Sequence, residues 1–98
     1  MYYTYVLLSR KTRRRYTGSC QDLIDRLQYH NSGHVKSTRH GLPWQLVYAE
    51  EHATRAEAVL REQYFKTGTG RDEVDRLIRG GESVSIVNEV NRAVAQLG

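Results

Sequence analysis

A chain of 98 residues, 39% of them hydrophobic, suits a single domain around one modest core. Its one cysteine, Cys20, excludes an internal disulfide, and no stretch approaches the ~20 apolar residues of a membrane-spanning helix. The net charge of +4 is uneven: residues 1–40 hold eight Lys/Arg against two Asp/Glu (+6), and residues 41–98 hold seven against nine (−2), so the front half suits a polyanion.

Residues 2–8, Tyr-Tyr-Thr-Tyr-Val-Leu-Leu, are aromatic, β-branched and apolar, and read as a strand. The first basic residue, Arg10, follows this run, which is not the order of a secretory leader; a reducing, cytoplasmic setting is expected. Arg10 to Arg15, five of six residues basic, form a polar connection. Tyr16-Thr17-Gly18 reads as a returning strand, making a hairpin. Ser19 is a candidate helix cap with Asp22 three residues on. Leu23, Ile24 and Leu27 supply that helix's apolar side, and Asp22, Arg26 and His30 stack beside it at i, i+4 and i+8. Asn31-Ser32-Gly33 ends it.

Residues 32–43 read as a polar loop carrying His34, Lys36, Arg39 and His40. Trp44 to Glu51 resume strand character, with Leu46 and Tyr48 on one face and Val47 and Ala49 on the other, as in an interior strand. Thr54-Arg55-Ala56-Glu57 is a capping box for a helix to about Thr67, with Ala56, Val59, Leu60 and Tyr64 as its core stripe and Gly68 as its end. Thr69 is a candidate cap for a third helix bearing Val74, Leu77 and Ile78, stopped by Gly80-Gly81. In the tail, Val87, Val90, Val94 and Leu97 make a narrow apolar stripe on a short helix, which packs on the domain or pairs weakly with a second copy. The expected fold is of the α/β (α+β) class: a small three-stranded, partly antiparallel sheet flanked by helices, in the order β-β-α-β-α-α plus a C-terminal helix. Residues 1–80 would form the domain and 81–98 an extension.

Cutting a phosphodiester needs an activated water, stabilisation of charge on the phosphate, and help for the departing alkoxide. A hard cation such as Mg²⁺ takes one or two protein carboxylates and completes its shell with water and phosphate oxygens. Arg suits the phosphate because its planar fork bonds two oxygens at once. Phenols, a guanidinium and one carboxylate are therefore a workable set.

Tyr3-Thr4-Tyr5 and Tyr16-Thr17-Gly18 are separated by ten residues. Asp22-Leu23-Ile24-Asp25-Arg26-Leu27-Gln28-Tyr29-His30-Asn31 and Leu60-Arg61-Glu62-Gln63 follow. This order resembles the GIY-YIG nuclease family over roughly residues 2–79. It is most similar to small stand-alone bacterial members related to the N-terminal domain of the excinuclease C subunit. Tyr3-Thr4-Tyr5 stands where the family has Gly-Ile-Tyr, and Tyr16-Thr17-Gly18 where it has Tyr-Ile-Gly; both depart from the name-giving pattern and keep the tyrosine.

The resemblance implies an endonuclease for DNA, single-stranded DNA included and RNA left open, with Mg²⁺ or Mn²⁺ as cofactor and a place in DNA repair. Tyr5 and Tyr16 would line the site, and one of them, Tyr16 by preference, would accept the proton of the attacking water. Arg26 would hold the scissile phosphate, Glu62 the metal, and His30 would assist in proton transfer or phosphate contact. Chemistry alone leaves the base open, since an unperturbed phenol titrates near ~10 and an imidazole near ~6.5. A metal, Arg26 or Lys66 would have to favour the phenolate. Arg13, Arg14 and Arg15 beside Tyr16 would bind the backbone, with Lys36, Arg39 and Lys66 extending the track and Tyr29 and Trp44 offering stacking surfaces.

Each residue also has an ordinary reading. Tyr5 and Trp44 could fill the core, Arg26 could pair with Asp22 or Asp25, His30 could cap a helix end, and Glu62 could pair with Lys66 at i+4. Cys20 reads as inert, and His34 and His40 lack partners at zinc-site spacing. Beside the nuclease stand two alternatives: a nucleic-acid-binding accessory module, and a structural module dimerising through residues 84–97.

Overall fold

The computed structural model describes residues 1–97. Strand β1 (Tyr2–Ser9) is the centre of a three-stranded sheet ordered β2-β1-β3, with β2 (Arg15–Cys20) and β3 (Trp44–His52) both antiparallel to it. Helix α1 (Leu23–Asn31) lies between β2 and β3, and α2 (Arg55–Phe65), α3 (Gly68–Arg79) and α4 (Val84–Leu97) follow β3. The expected α+β architecture is present, and the sheet is antiparallel throughout.

Alternation along β1 divides the interior into two cores. Tyr5 and Leu7 join Cys20, Leu23, Leu27, Leu46, Ala49 and Val90 under α1 and α4. On the reverse face, Val6 joins Tyr48, Phe65 and Val74 under α2 and α3. Thr4 is fully buried there because its hydroxyl donates to the Ala58 carbonyl at 2.9 Å.

Several local expectations are corrected. Strand β3 lies at the sheet edge, not inside; its apolar residues on both faces report helices above and below it, not two strand neighbours. The pairing slips between Val6↔Tyr48 and Leu7↔Leu46, leaving Val47 as the extra residue of a β-bulge. Tyr48 and Val47 therefore serve one core while Leu46 and Ala49 serve the other, which breaks the expected alternation. Ser19 is not a helix cap, because the β1–β2 ladder continues through Thr4↔Ser19 to Tyr3↔Cys20; Asp22 caps α1 by accepting from the Asp25 N–H.

Helix α2 stops at Phe65, and Thr67, not Thr69, caps α3, so Gly68 opens that helix. The corner is tight because Gly70 lies against the Tyr64 carbonyl, where a Cβ would collide with backbone. The buried face of α2 is Ala58 and Phe65; Leu60 is 66% exposed and Ala56 is exposed too, because Ala58, with its small side chain, is the residue brought against β1. On α4, Val90 is buried, with Ile86, Val87 and Val94 packed around it on the domain's own core, while Leu97 is exposed. Most of the stripe that could have met a second copy is thus spent within the chain.

Candidate active site

The β1–β2 register sets Tyr5 opposite Gly18 and Leu7 opposite Tyr16. The Tyr5 ring lies across Gly18: a Cβ there would come within 2.5 Å of the Tyr5 hydroxyl and 2.7 Å of Cζ. Gly18 thus leaves the space that Tyr5 occupies. Helix α1 brings His30 to the same place. Its Nε2 is 3.1 Å from the Tyr5 hydroxyl, and its Nδ1 is 3.0 Å from Thr38 Oγ1. Thr38 Oγ1 can itself donate to the Val35 carbonyl at 3.4 Å. One consistent set of donors has Tyr5 donating to Nε2, Nδ1–H donating to Thr38, and Thr38 donating to Val35.

Tyr16 completes an aromatic cluster. Its ring centroid is 4.8 Å from that of His30, 6.4 Å from Tyr5 and 6.5 Å from Trp44. Trp44 is buried, as its ordinary reading held, and its indole N–H donates to the Thr38 carbonyl at 2.7 Å. Asn31 holds α1 to β3 by accepting from the Trp44 N–H and donating to the Trp44 carbonyl, at 2.7 and 2.9 Å. The sequence gives Thr38 no role, and Asn31 only that of a helix end. The His30-Asn31 pair in the motif was the available signal for Asn31; Thr38, in a polar loop, offered none.

Burial separates the groups that share this cluster. Tyr5 is 2% exposed and His30 1%, whereas Tyr16 is half-buried. Burial, followed by the neighbouring Tyr16, pushes the Tyr5 phenol well above its ordinary value; the Arg26 charge opposes the rise and the Glu62 charge adds to it. Burial, then Arg26, holds the His30 imidazole below its ordinary value, which favours the neutral ring. Tyr5 is therefore a hydrogen-bonded phenol at neutral pH. His30, with both ring nitrogens engaged and no open surface, is poorly placed to take a proton from solvent water. Burial likewise pushes the Cys20 thiol up to about 11, so it stays protonated.

Arg26 is exposed on α1 and lines a shallow groove of about 490 Å³ with Tyr29 and His34. Glu62 is on α2, the helix that packs on the reverse face of the sheet, yet its charge and that of Arg26 both reach the Tyr5 phenol. Its carboxylate accepts from Lys66 Nζ at 2.8 Å, the ordinary i, i+4 pair. A larger open groove, about 570 Å³, runs along the β2 edge with Tyr16 in its wall and Arg14, Arg15, Lys66 and Arg71 around it. Asp75 engages Arg15 at 2.5 Å. Arg13, at φ 66°, belongs to the exposed hairpin turn and does not line the groove; neither do Lys36 and Arg39.

No three His, Cys, Asp or Glu side chains converge among the described residues. The donor set does not suit a structural zinc, but Glu62, whose partner among the described residues is an exposed lysine, fits a hard dication that asks for one carboxylate and fills its shell with water and phosphate.

Residues 1–74 match the family model described as the GIY-YIG catalytic domain. The chain belongs to the GIY-YIG family. It is also 36% identical over 66 residues to a UPF0213 protein of Staphylococcus epidermidis, covering 66% of this chain and 80% of that one. A UPF0213 protein of Staphylococcus aureus is 40% identical over 65 residues, covering 65% and 78% of the two chains. No solved structure matches the chain. Membership makes this a nuclease-type hydrolase domain with nucleic acid as its substrate class. In this GIY-YIG chain the two name-giving tyrosines share one aromatic cluster.

Proposed function

We propose that the chain is a metal-dependent endonuclease that hydrolyses DNA phosphodiester bonds, single strands included, in the bacterial cytoplasm and in the service of DNA repair. The observation that carries the reading is the position of Tyr16. It touches the buried Tyr5–His30 pair on one side and lines a cationic groove on the other. Tyr16 takes the proton of the attacking water. Arg26 binds the scissile phosphate through its fork. Tyr5 and His30 are positioning residues: each is buried, and their mutual bond fixes the surface against which Tyr16 packs. Glu62 would hold Mg²⁺ or Mn²⁺, with Lys66 turned aside to a phosphate. When bound, the ion supplies charge neutralisation at the phosphate and at the departing oxygen.

A second reading, a nucleic-acid-binding accessory module, is favoured by the Glu62–Lys66 pair and by the placement of α2 on the face opposite the phenols. One assay separates the two. Purified protein is incubated with labelled single-stranded and duplex DNA, with Mg²⁺, Mn²⁺ or EDTA. The nuclease reading expects metal-dependent cutting that is lost in Glu62→Ala and Arg26→Ala. Binding without cutting under both metals would leave the accessory module standing.

A further inference from the structure

We infer that the groove between the β2 edge and the α2–α3 corner seats the phosphodiester backbone next to the scissile bond, with Arg71 and Arg14 as its direct contacts and Asp75 restraining Arg15. The inference rests on the nuclease reading and names the track along which its substrate lies. Four cations line the groove, but they are not equivalent. Lys66 is shared with Glu62, and Arg15 is engaged by Asp75. Among the described residues Arg14 and Arg71 make no ion pair, so their guanidinium forks are free for phosphate oxygens. They come from separate elements, the β1–β2 turn and the first turn of α3. Helix α3 starts at Gly68, between Lys66 and Arg71, and its positive end adds to the same field. Tyr16 in the wall ties the track to the catalytic cluster.

The chemistry predicts backbone contacts without base reading, and hence binding that is salt-sensitive and indifferent to sequence. Arg71 is a contact the sequence did not single out, whereas Lys36 and Arg39 lie off this track.

The test is equilibrium binding of a short labelled phosphorothioate single strand, which keeps its charges and resists cutting, by the full chain over a series of salt concentrations. Arg71→Gln should weaken binding several-fold and lower the slope of log K against log salt by about 0.7, the value for one phosphate contact on a single strand. Arg79→Gln, at the far end of α3, should match the wild type, and Asp75→Asn should bind more tightly. The assignment is overturned if the wild type binds nothing, if Arg71→Gln matches it, or if Arg79→Gln loses as much. An Asp75→Asn affinity at or below the wild type overturns the restraint of Arg15. Should the wild type bind along this track and yet cut no DNA under Mg²⁺ or Mn²⁺, the nuclease reading fails and the groove stands. Should it cut while Arg71→Gln binds normally, the reverse holds.

Discussion

Under α1 and α4 the sheet buries hydroxyls and an imidazole; under α2 and α3 it buries mostly hydrocarbon and keeps its charges at the rim. On the first face Tyr5, His30 and Thr38 satisfy one another in a chain of hydrogen bonds. On the second, Val6, Phe65 and Val74 pack together. Arg61 bridges Glu50 of β3 and Glu73 of α3 at 2.8 and 2.6 Å, with its guanidinium 4.4 Å over the Phe65 ring. The lesson concerns division of labour. The polar face sets the direction of the phenols, and the apolar face with its Arg61 bridge sets the rotation of α2, the helix that carries Glu62. The two faces come together at the β2 edge, where Tyr16 and Lys66 line one groove.

The largest expected effect tests the polar face. On the proposed assignment of Tyr16 as general base, Tyr16→Phe should lower cleavage by about 10²–10⁴-fold, with little change in the unfolding midpoint. A Tyr16→Phe enzyme that cuts like the wild type would move the base elsewhere.

Phe65→Ala tests the apolar face. It should cost about 3–5 kcal/mol in urea unfolding, because the ring is fully buried between Tyr48 and Val74. Cleavage per folded molecule should fall far less than in Tyr16→Phe.

Gly18→Ala should destabilise by about 1–3 kcal/mol through overpacking against the Tyr5 ring, and cleavage should fall as that ring is displaced. Unchanged stability would mean that Tyr5 yields easily, and that the fit across Gly18 is not tight.

His30 sharpens the contrast through pH. Its folded imidazole titrates below the ordinary 6.5, so as pH falls beneath 6.5 the unfolded chain takes up this proton before the folded one does. Stability from this residue is full above that value and declines as pH drops toward the folded pKa. The wild type should therefore lose more stability than His30→Asn between neutral and mildly acid pH, as read from paired urea titrations. Parallel curves would mean that His30 does not titrate differently on folding.

The smallest effect belongs to Lys66→Met. The pair with Glu62 is at the surface, with Lys66 half exposed, so unfolding should change by no more than about 1 kcal/mol. A larger loss would show the lysine to be part of the fold and not a displaceable partner.

Much of the architecture could be read along the chain. The aromatic run at residues 2–8, the capping box at Thr54 and the glycines at 80–81 each act through neighbouring backbone, so the strand, the helix start and the helix stop came out in place. The errors share a different origin. Period-two alternation puts Leu46 and Tyr48 on one face only in a regular ladder, and the Val47 bulge is imposed by the pairing with β1. Leu60 fits a core stripe by helical periodicity and is exposed, because periodicity gives the spacing of a stripe but not which stripe meets the sheet. Ser19 and Thr69 lost their caps to a continued strand and to an earlier cap at Thr67.

Within the candidate site, residue types and order identified the family, because chemistry restricts which side chains can serve a phosphate. The family resemblance puts Tyr5, Tyr16, Arg26, His30 and Glu62 forward together as candidates. It says nothing of their inequality. Burial made Tyr5 and His30 an internal pair, left Tyr16 at a groove, and placed Glu62 on the helix beneath the opposite face. Composition and local spacing are properties of the chain and survive in any conformation. Desolvation, hydrogen-bond direction and which cations stay free depend on residues far apart in the chain, so they exist only once the sheet and its four helices have closed around them.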